Sequence, residues 1–181
     1  MSGNGPRRGF RVPPRSVKDI RETALRARST LNLSNKLDLG RFMESLVKYA
    51  VTVDPVDDDF AGLPPNAEAC WVPETWTLYL RNSVYEAACR GEPRARFTVF
   101  HEMGHLFLAH RHTFNRESKE AFKIFEDAEW QADLFAAEVL MPATEIRNKK
   151  LSTPSQVMDE FGVSRPAAEY RLAWLAKRGE L

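Results

Sequence analysis

The sequence predicts an α+β fold, built as a small antiparallel or mixed sheet, two central helices and a C-terminal helical segment with a helix-turn-helix-like outline. Two observations carry this reading. Three short strand-like runs cluster between residues 51 and 80, and from residue 93 onward the chain reads as helix. Strands followed by helices belong to α+β order rather than to repeated βαβ units. A chain of 181 residues without an internal repeat holds one domain with a small appendage.

The elements follow in order. Ser16, with Asp19 three residues on, marks a helix start, and Val17, Ile20, Ala24, Ala27 and Leu31 recur at helical spacing. Asn32 to Asn35 breaks that helix. Asp38 caps a short second helix carrying Phe42, Leu46 and Val47 on its apolar side. Val51–Val53 reads as a strand stopped by Asp54-Pro55, and residues 54–68 as an acidic surface loop. Ala69–Val72 and Thr77–Leu80, joined by Pro73-Glu74-Thr75, suggest a hairpin. Pro93 suits a helix start, where its missing N–H costs nothing. A long helix from about Ser118 to Leu140, ended by Pro142, carries Phe122, Phe125, Leu134, Phe135 and Val139. In the tail, Pro154–Phe161, a turn at Gly162 and Ser164–Arg178 complete the outline.

Charge is uneven. Residues 1–30 carry eight Lys/Arg against two acids, a net of +6, and residues 117–145 carry eight acids against two lysines, a net of −6. The first fifteen residues hold three glycines, three prolines and four arginines, so 1–15 is expected to be a disordered basic arm, a solvated tail rather than a nucleic-acid grip. Residues 16–142 then form the main domain, with 143–181 packed on it. No apolar run is long enough to cross a membrane, and the N-terminus lacks a hydrophobic signal core. Cys70 and Cys89 make no disulfide framework; both read as structural, away from the histidines, and a reducing cytoplasm is the expected location.

The chemistry lies in His101-Glu102-Met103-Gly104-His105, within a stretch that also holds His110 and leads to His112. Two histidines four apart on a helix share a face and can grip one metal ion. The adjacent Glu102 can reach a metal-activated water, the His-Glu-x-x-His pattern of zinc peptidases. A catalytic zinc keeps three protein ligands and an open position. The sequence departs from the class that draws a third His from the same helix, since Leu108 and Arg111 occupy the required Gly and His places. A carboxylate from the next helix is the other solution, with Glu126, Asp127, Glu129 and Asp133 as candidates. Glu129 and Asp133 share a face beside the small Ala132 and Ala136, which let two helices approach closely. Glu129 is therefore read as the third ligand, and Asp133 as the acceptor for the far nitrogen of a ligand histidine. His110, His112, Tyr79 and Arg81 are the available oxyanion or substrate contacts, with a structural or solvated role preferred for the two histidines.

Arg96–Leu106 together with Glu129–Pro142 closely resembles the paired motifs of the ImmA/IrrE metallopeptidases, with Val139 in place of a leucine the one trivial departure. The tail, through Phe161-Gly162-Val163-Ser164 and Arg171-Leu172, also resembles that family, so the likeness spans about residues 16–178 and leaves the basic arm outside. It implies a zincin-like domain with His101, His105 and Glu129 on zinc, or another divalent ion, and Glu102 as catalytic base. It further implies a protein substrate, namely a helix-turn-helix repressor or antitoxin encoded nearby in a mobile-element, toxin–antitoxin or stress system. The rival reading is a zinc-containing, toxin-like or regulatory partner that binds such a repressor with little proteolysis. Direct DNA binding by the tail is disfavoured, because Tyr170, Leu172, Ala173, Trp174 and Leu175 make the last helix apolar, whereas reading base edges needs a polar face.

Overall fold

The computed structural model describes residues 9–64, 66–111 and 122–181. Helix α1 (Val17–Thr30) opens on a reciprocal capping box, the Asp19 N–H donating to Ser16 Oγ and the Ser16 N–H to Asp19 Oδ2, both at 3.1 Å. Asp38 caps α2 (Leu39–Ser45), which buries Leu39, Phe42 and Met43. Leu46 in the following 3₁₀ turn is also buried, but Val47 is 70% exposed, contrary to the apolar side expected for it.

Strands β1 (Thr52–Val56), β2 (Ala69–Val72) and β3 (Thr77–Arg81) form a mixed sheet in the order β1-β3-β2. β1 runs parallel to β3, and β2 is antiparallel to it in the hairpin that the sequence suggests. β1 continues through Asp54-Pro55 instead of stopping there. It is an edge strand, and an edge tolerates a residue that cannot donate to the ladder. A short helix α3 (Asn82–Cys89) follows β3 directly; without a side-chain cap it leaves no start signal in the sequence.

Pro93 occupies the first turn of α4 (Pro93–Phe107), whose buried face includes Ala95, Val99, Phe100, Met103 and Gly104. Its partner α5 (Ala128–Leu140) begins later than the apolar pattern suggests. Asp127 takes an extended conformation and accepts the Glu129 N–H at 2.9 Å, so the aspartate starts the helix rather than continuing one. Phe122 and Phe125 therefore precede the helix, and residues 118–121 lie outside the described part of the chain. The C-terminal helices α6 (Ala143–Asn148), α7 (Pro154–Phe161) and α8 (Arg165–Lys177) contribute Ile146, Phe161 and Leu175 to the same hydrophobic cluster as Ile20, Leu80, Phe100 and Phe135. Gly162 ends α7 at φ +63, as the expected turn requires.

Helix α5 is the hub. Its fully buried Glu138 receives Arg21 from α1 at 2.9 Å and Arg171 from α8 at 2.8 Å. A buried carboxylate without such partners would be strongly destabilising. On the other side α5 meets α4, and the approach is set by Gly104: a Cβ there would lie 3.0 Å from Ala132 Cα and 3.1 Å from its carbonyl oxygen.

Residues 9–15 correct the expectation of a disordered, solvated arm. Residues 1–8 lie outside the described part, but the Val12 N–H donates to Glu126 O (2.8 Å), the Arg15 N–H to Phe125 O (3.1 Å) and the Ala128 N–H to Phe10 O (3.1 Å). Arg11 pairs with Glu126 at 2.7 Å. The segment is strapped along the chain that leads into α5.

Replacing Gly104 with Ala should force α4 and α5 apart and cost about 1–3 kcal/mol, as small-to-large changes in packed cores do. Denaturant unfolding of the wild type and Gly104→Ala checks this; equal midpoints would show that the interface yields without cost.

Candidate metal centre

Helical spacing places His101 and His105 one turn apart on α4, and the close approach at Gly104 brings Glu129 of α5 opposite them. His101 Nε2 lies 3.2 Å from Glu129 Oε2 and 3.2 Å from His105 Nε2, and His105 Nε2 lies 3.5 Å from Glu129 Oε1. Tetrahedral coordination at ligand distances of about 2.0–2.1 Å separates ligand atoms by about 3.3 Å. The two histidines and Glu129 therefore fit a divalent ion in size and in donor type. Glu102 also comes within 4.8 Å of the histidine ligand atoms. Its Oε2, however, accepts the Trp71 N–H of the edge strand at 2.8 Å, while Glu129 has one oxygen 3.2 Å from His101 Nε2 and the other 3.5 Å from His105 Nε2.

The surrounding groups set protonation. His101 Nδ1 is 2.9 Å from Asp133 Oδ1, the contact that the spacing of Glu129 and Asp133 suggests. Burial opposes a charge on His101, but the hydrogen bonds to Asp133 and Glu129 outweigh it and hold its pKa up at about 10. Burial likewise disfavours ionised Glu129, yet the bond to His101 and the field of His105 bring its pKa below the usual value. For Glu102 burial wins over the neighbouring His101 charge and the Trp71 N–H, and its pKa is raised.

These groups line a cleft of about 760 Å³ between α4, α5, β2 and the strap, with Phe10, Glu68, Cys70, Trp71, Arg94 and Phe97 among its walls. Cys70 is thus beside the histidines rather than remote from them. Its thiol is pushed up to about 11 by burial and by the charges of Glu102 and Glu129, which keeps it a thiol. Tyr79 and Arg81 do not line the cleft. Tyr79 stacks on Phe60 (6.5 Å between ring centres), and Arg81 donates from Nε to Ala67 O at 2.7 Å and from Nη1 to Asp58 O, so both order the loop before β2. His112 lies outside the described residues.

His110 arrives by a route that helical spacing does not foresee. α4 ends at Phe107, Ala109 takes the left-handed conformation (φ 55), and the His110 N–H donates to His105 O (2.9 Å) while the Ala109 N–H donates to Leu106 O (3.1 Å). This is a Schellman turn with alanine where glycine is usual. It folds His110 back so that its Nδ1 stands 3.0 Å from His105 Nδ1 and its Nε2 3.0 Å from Gln131 Oε1. Burial lowers the His110 pKa and keeps the ring neutral. Gln131 carries no motif of its own in the sequence; a lone amide among the alanines and aromatics of α5 is its only signal there.

A sheet-edged cleft with two histidines and an opposed glutamate on paired helices defines a protein of the metallopeptidase type. The family comparison agrees: residues 64–173 match the model of the IrrE N-terminal-like domain, Peptidase_M78, and the chain belongs to that family. A solved structure described as a Mycobacterium tuberculosis transcriptional regulator shares the fold, with a TM-score of 0.57 at 19% identity over 86% of this chain. This chain spans 55% of that structure's length. No curated protein matches at a significant level.

Two outcomes follow. Because His101 stays protonated up to about pH 10 without metal, uptake of an ion at pH 7 must displace that proton, and affinity should rise with pH through the neutral range. An indicator dye in weak buffer should register about one proton released per ion bound; none released would contradict the assignment of the charge. Separately, Ala109→Gly should relieve the left-handed strain and stabilise the protein by about 1 kcal/mol, whereas a lowered melting temperature would show that Ala109 is not strained.

Proposed function

We propose that the protein is a zinc-dependent endopeptidase that hydrolyses a peptide bond in a protein substrate, acting in the cytoplasm on a helix-turn-helix repressor or antitoxin encoded nearby. The convergence of His101, His105 and Glu129 within 3.5 Å of one another, with Glu102 beside them on the cleft wall, is the observation that carries the reading. Membership of a peptidase family supports hydrolysis, and the resemblance of the paired motifs to ImmA/IrrE proteins supports a repressor as substrate. A two-histidine, one-carboxylate donor set with an open position suits zinc.

Zinc held by His101, His105 and Glu129 would supply Lewis-acid chemistry, able to polarise a carbonyl and to lower the pKa of water toward neutrality. Glu102 takes a proton from the attacking water as the C–O bond forms, then gives it to the departing amine as the C–N bond breaks. Its raised pKa suits both halves of that transfer, because a buried carboxylate accepts a proton near neutrality more readily than an exposed one. The Trp71 N–H holds one Glu102 oxygen in place. Asp133 keeps the His101 hydrogen on Nδ1 and directs Nε2 into the site.

Glu102→Gln tests the reading. The variant should keep its zinc and its grip on the repressor but cut about 10²–10⁴ times more slowly. A discrete fragment appearing equally fast with both proteins would exclude Glu102 as the base. Equal repressor binding, with no cut by the wild type, would favour a protein that acts by binding.

A further inference from the structure

The environment of Gln131 fixes a chain of protons that ends at a candidate metal ligand. Gln131 is fully buried. Its Nε2 donates to Pro13 O at 3.0 Å and to Phe125 O at 2.8 Å. Carbonyl oxygens only accept, so the amide nitrogen must face them and Oε1 must face His110. An amide oxygen also only accepts, so His110 carries its hydrogen on Nε2, 3.0 Å away. In the neutral ring the His110 Nδ1 then has a free lone pair, and it stands 3.0 Å from His105 Nδ1. That contact becomes a hydrogen bond only when His105 is protonated on Nδ1. His105 Nε2, the nitrogen that faces His101 and Glu129, is left with its lone pair for a metal.

We propose that His110 and Gln131 are positioning residues that select the metal-ligating tautomer of His105, with the strap of residues 9–15 completing the relay through the Pro13 carbonyl. The inference rests on the metal-site reading above. It assigns different partners to the two histidines: a carboxylate, Asp133, holds His101, whereas a neutral imidazole locked by an amide holds His105. It also gives the left-handed Ala109 a purpose, since only a chain reversal after α4 returns His110 to the helix that it has just left.

Two measurements on the full-length protein test the relay. Long-range ¹H–¹⁵N correlation of the histidine rings, with and without zinc, should show His110 protonated on Nε2 in both states and His105 on Nδ1 in the zinc-loaded state. His110 protonated on Nδ1 in either state would overturn the proposal. Zinc affinity, measured by competition with a chromophoric chelator, should fall about 10–100-fold in His110→Phe and in Gln131→Leu, the cost typical of losing a ligand's hydrogen-bond partner. His110→Asn keeps an acceptor near the position of Nδ1 and should hold near wild-type affinity. If the variants ranked the other way, with Phe retaining affinity and Asn losing it, His110 would be a packing residue and the relay would be wrong. Failure of the wild type to bind zinc would count against the proposed function, and the His110 ring signals of the metal-free protein would still decide the relay.

Discussion

The approach of α4 to α5 is the constraint from which the rest of the architecture follows. At Gly104 the two helices are so close that a single added carbon would lie 3.0 Å from the Ala132 backbone. Only at that separation do the short reach of a glutamate and the two rings on the facing helix converge within 3.5 Å. Other features serve to hold α5 at this distance and rotation. Glu138 fastens it to α1 and α8 through two arginines, Asp127 fixes where it begins, and Phe135 and Ala136 bury its inner face completely or nearly so.

The uneven charge of the chain is part of the same arrangement. Three basic residues near the N-terminus pair with the acidic stretch that leads into α5 and on into α6, Arg11 with Glu126, Arg21 with Glu138 and Arg28 with Glu145. These three basic residues are thus matched inside the fold, and the two opposite excesses of six cancel within a net charge of +1. The pairing also brings the N-terminal segment onto the cleft. Phe10 becomes a wall of the site, a Cβ at Gly9 would lie 2.6 Å from Glu129 Cγ, and Pro13 supplies a carbonyl to Gln131.

Much of this was legible in the sequence because it is local. The capping box at Ser16, the proline start of α4, the hairpin and the Gly162 turn each depend on residues a few positions apart. Helical spacing likewise places His101 beside His105 and Glu129 above Asp133. What was not legible depends on partners distant in the chain or on a backbone choice the residue type does not announce. Glycine and proline in residues 1–15 suggest disorder when read alone; for Phe10, Val12 and Arg15 the segment more than a hundred residues later supplies backbone partners. Alanine is a helix former, so nothing at Ala109 announces a left-handed turn, and His110 on a continued helix would point away from the site. Tyr79 and Arg81 are polar candidates in the sequence, but Phe60, Ala67 and Asp58 claim them.

The site stands or falls on its donor set, two imidazoles and one carboxylate drawn from paired helices. X-ray absorption at the zinc edge of the loaded full-length protein tests it most directly. The spectrum should show only nitrogen and oxygen neighbours at about 2.0–2.2 Å, with the multiple-scattering signature of two imidazoles. A sulfur neighbour at about 2.3 Å, for which Cys70 in the cleft wall would be the source, or a shell of oxygens without imidazole, would contradict that donor set.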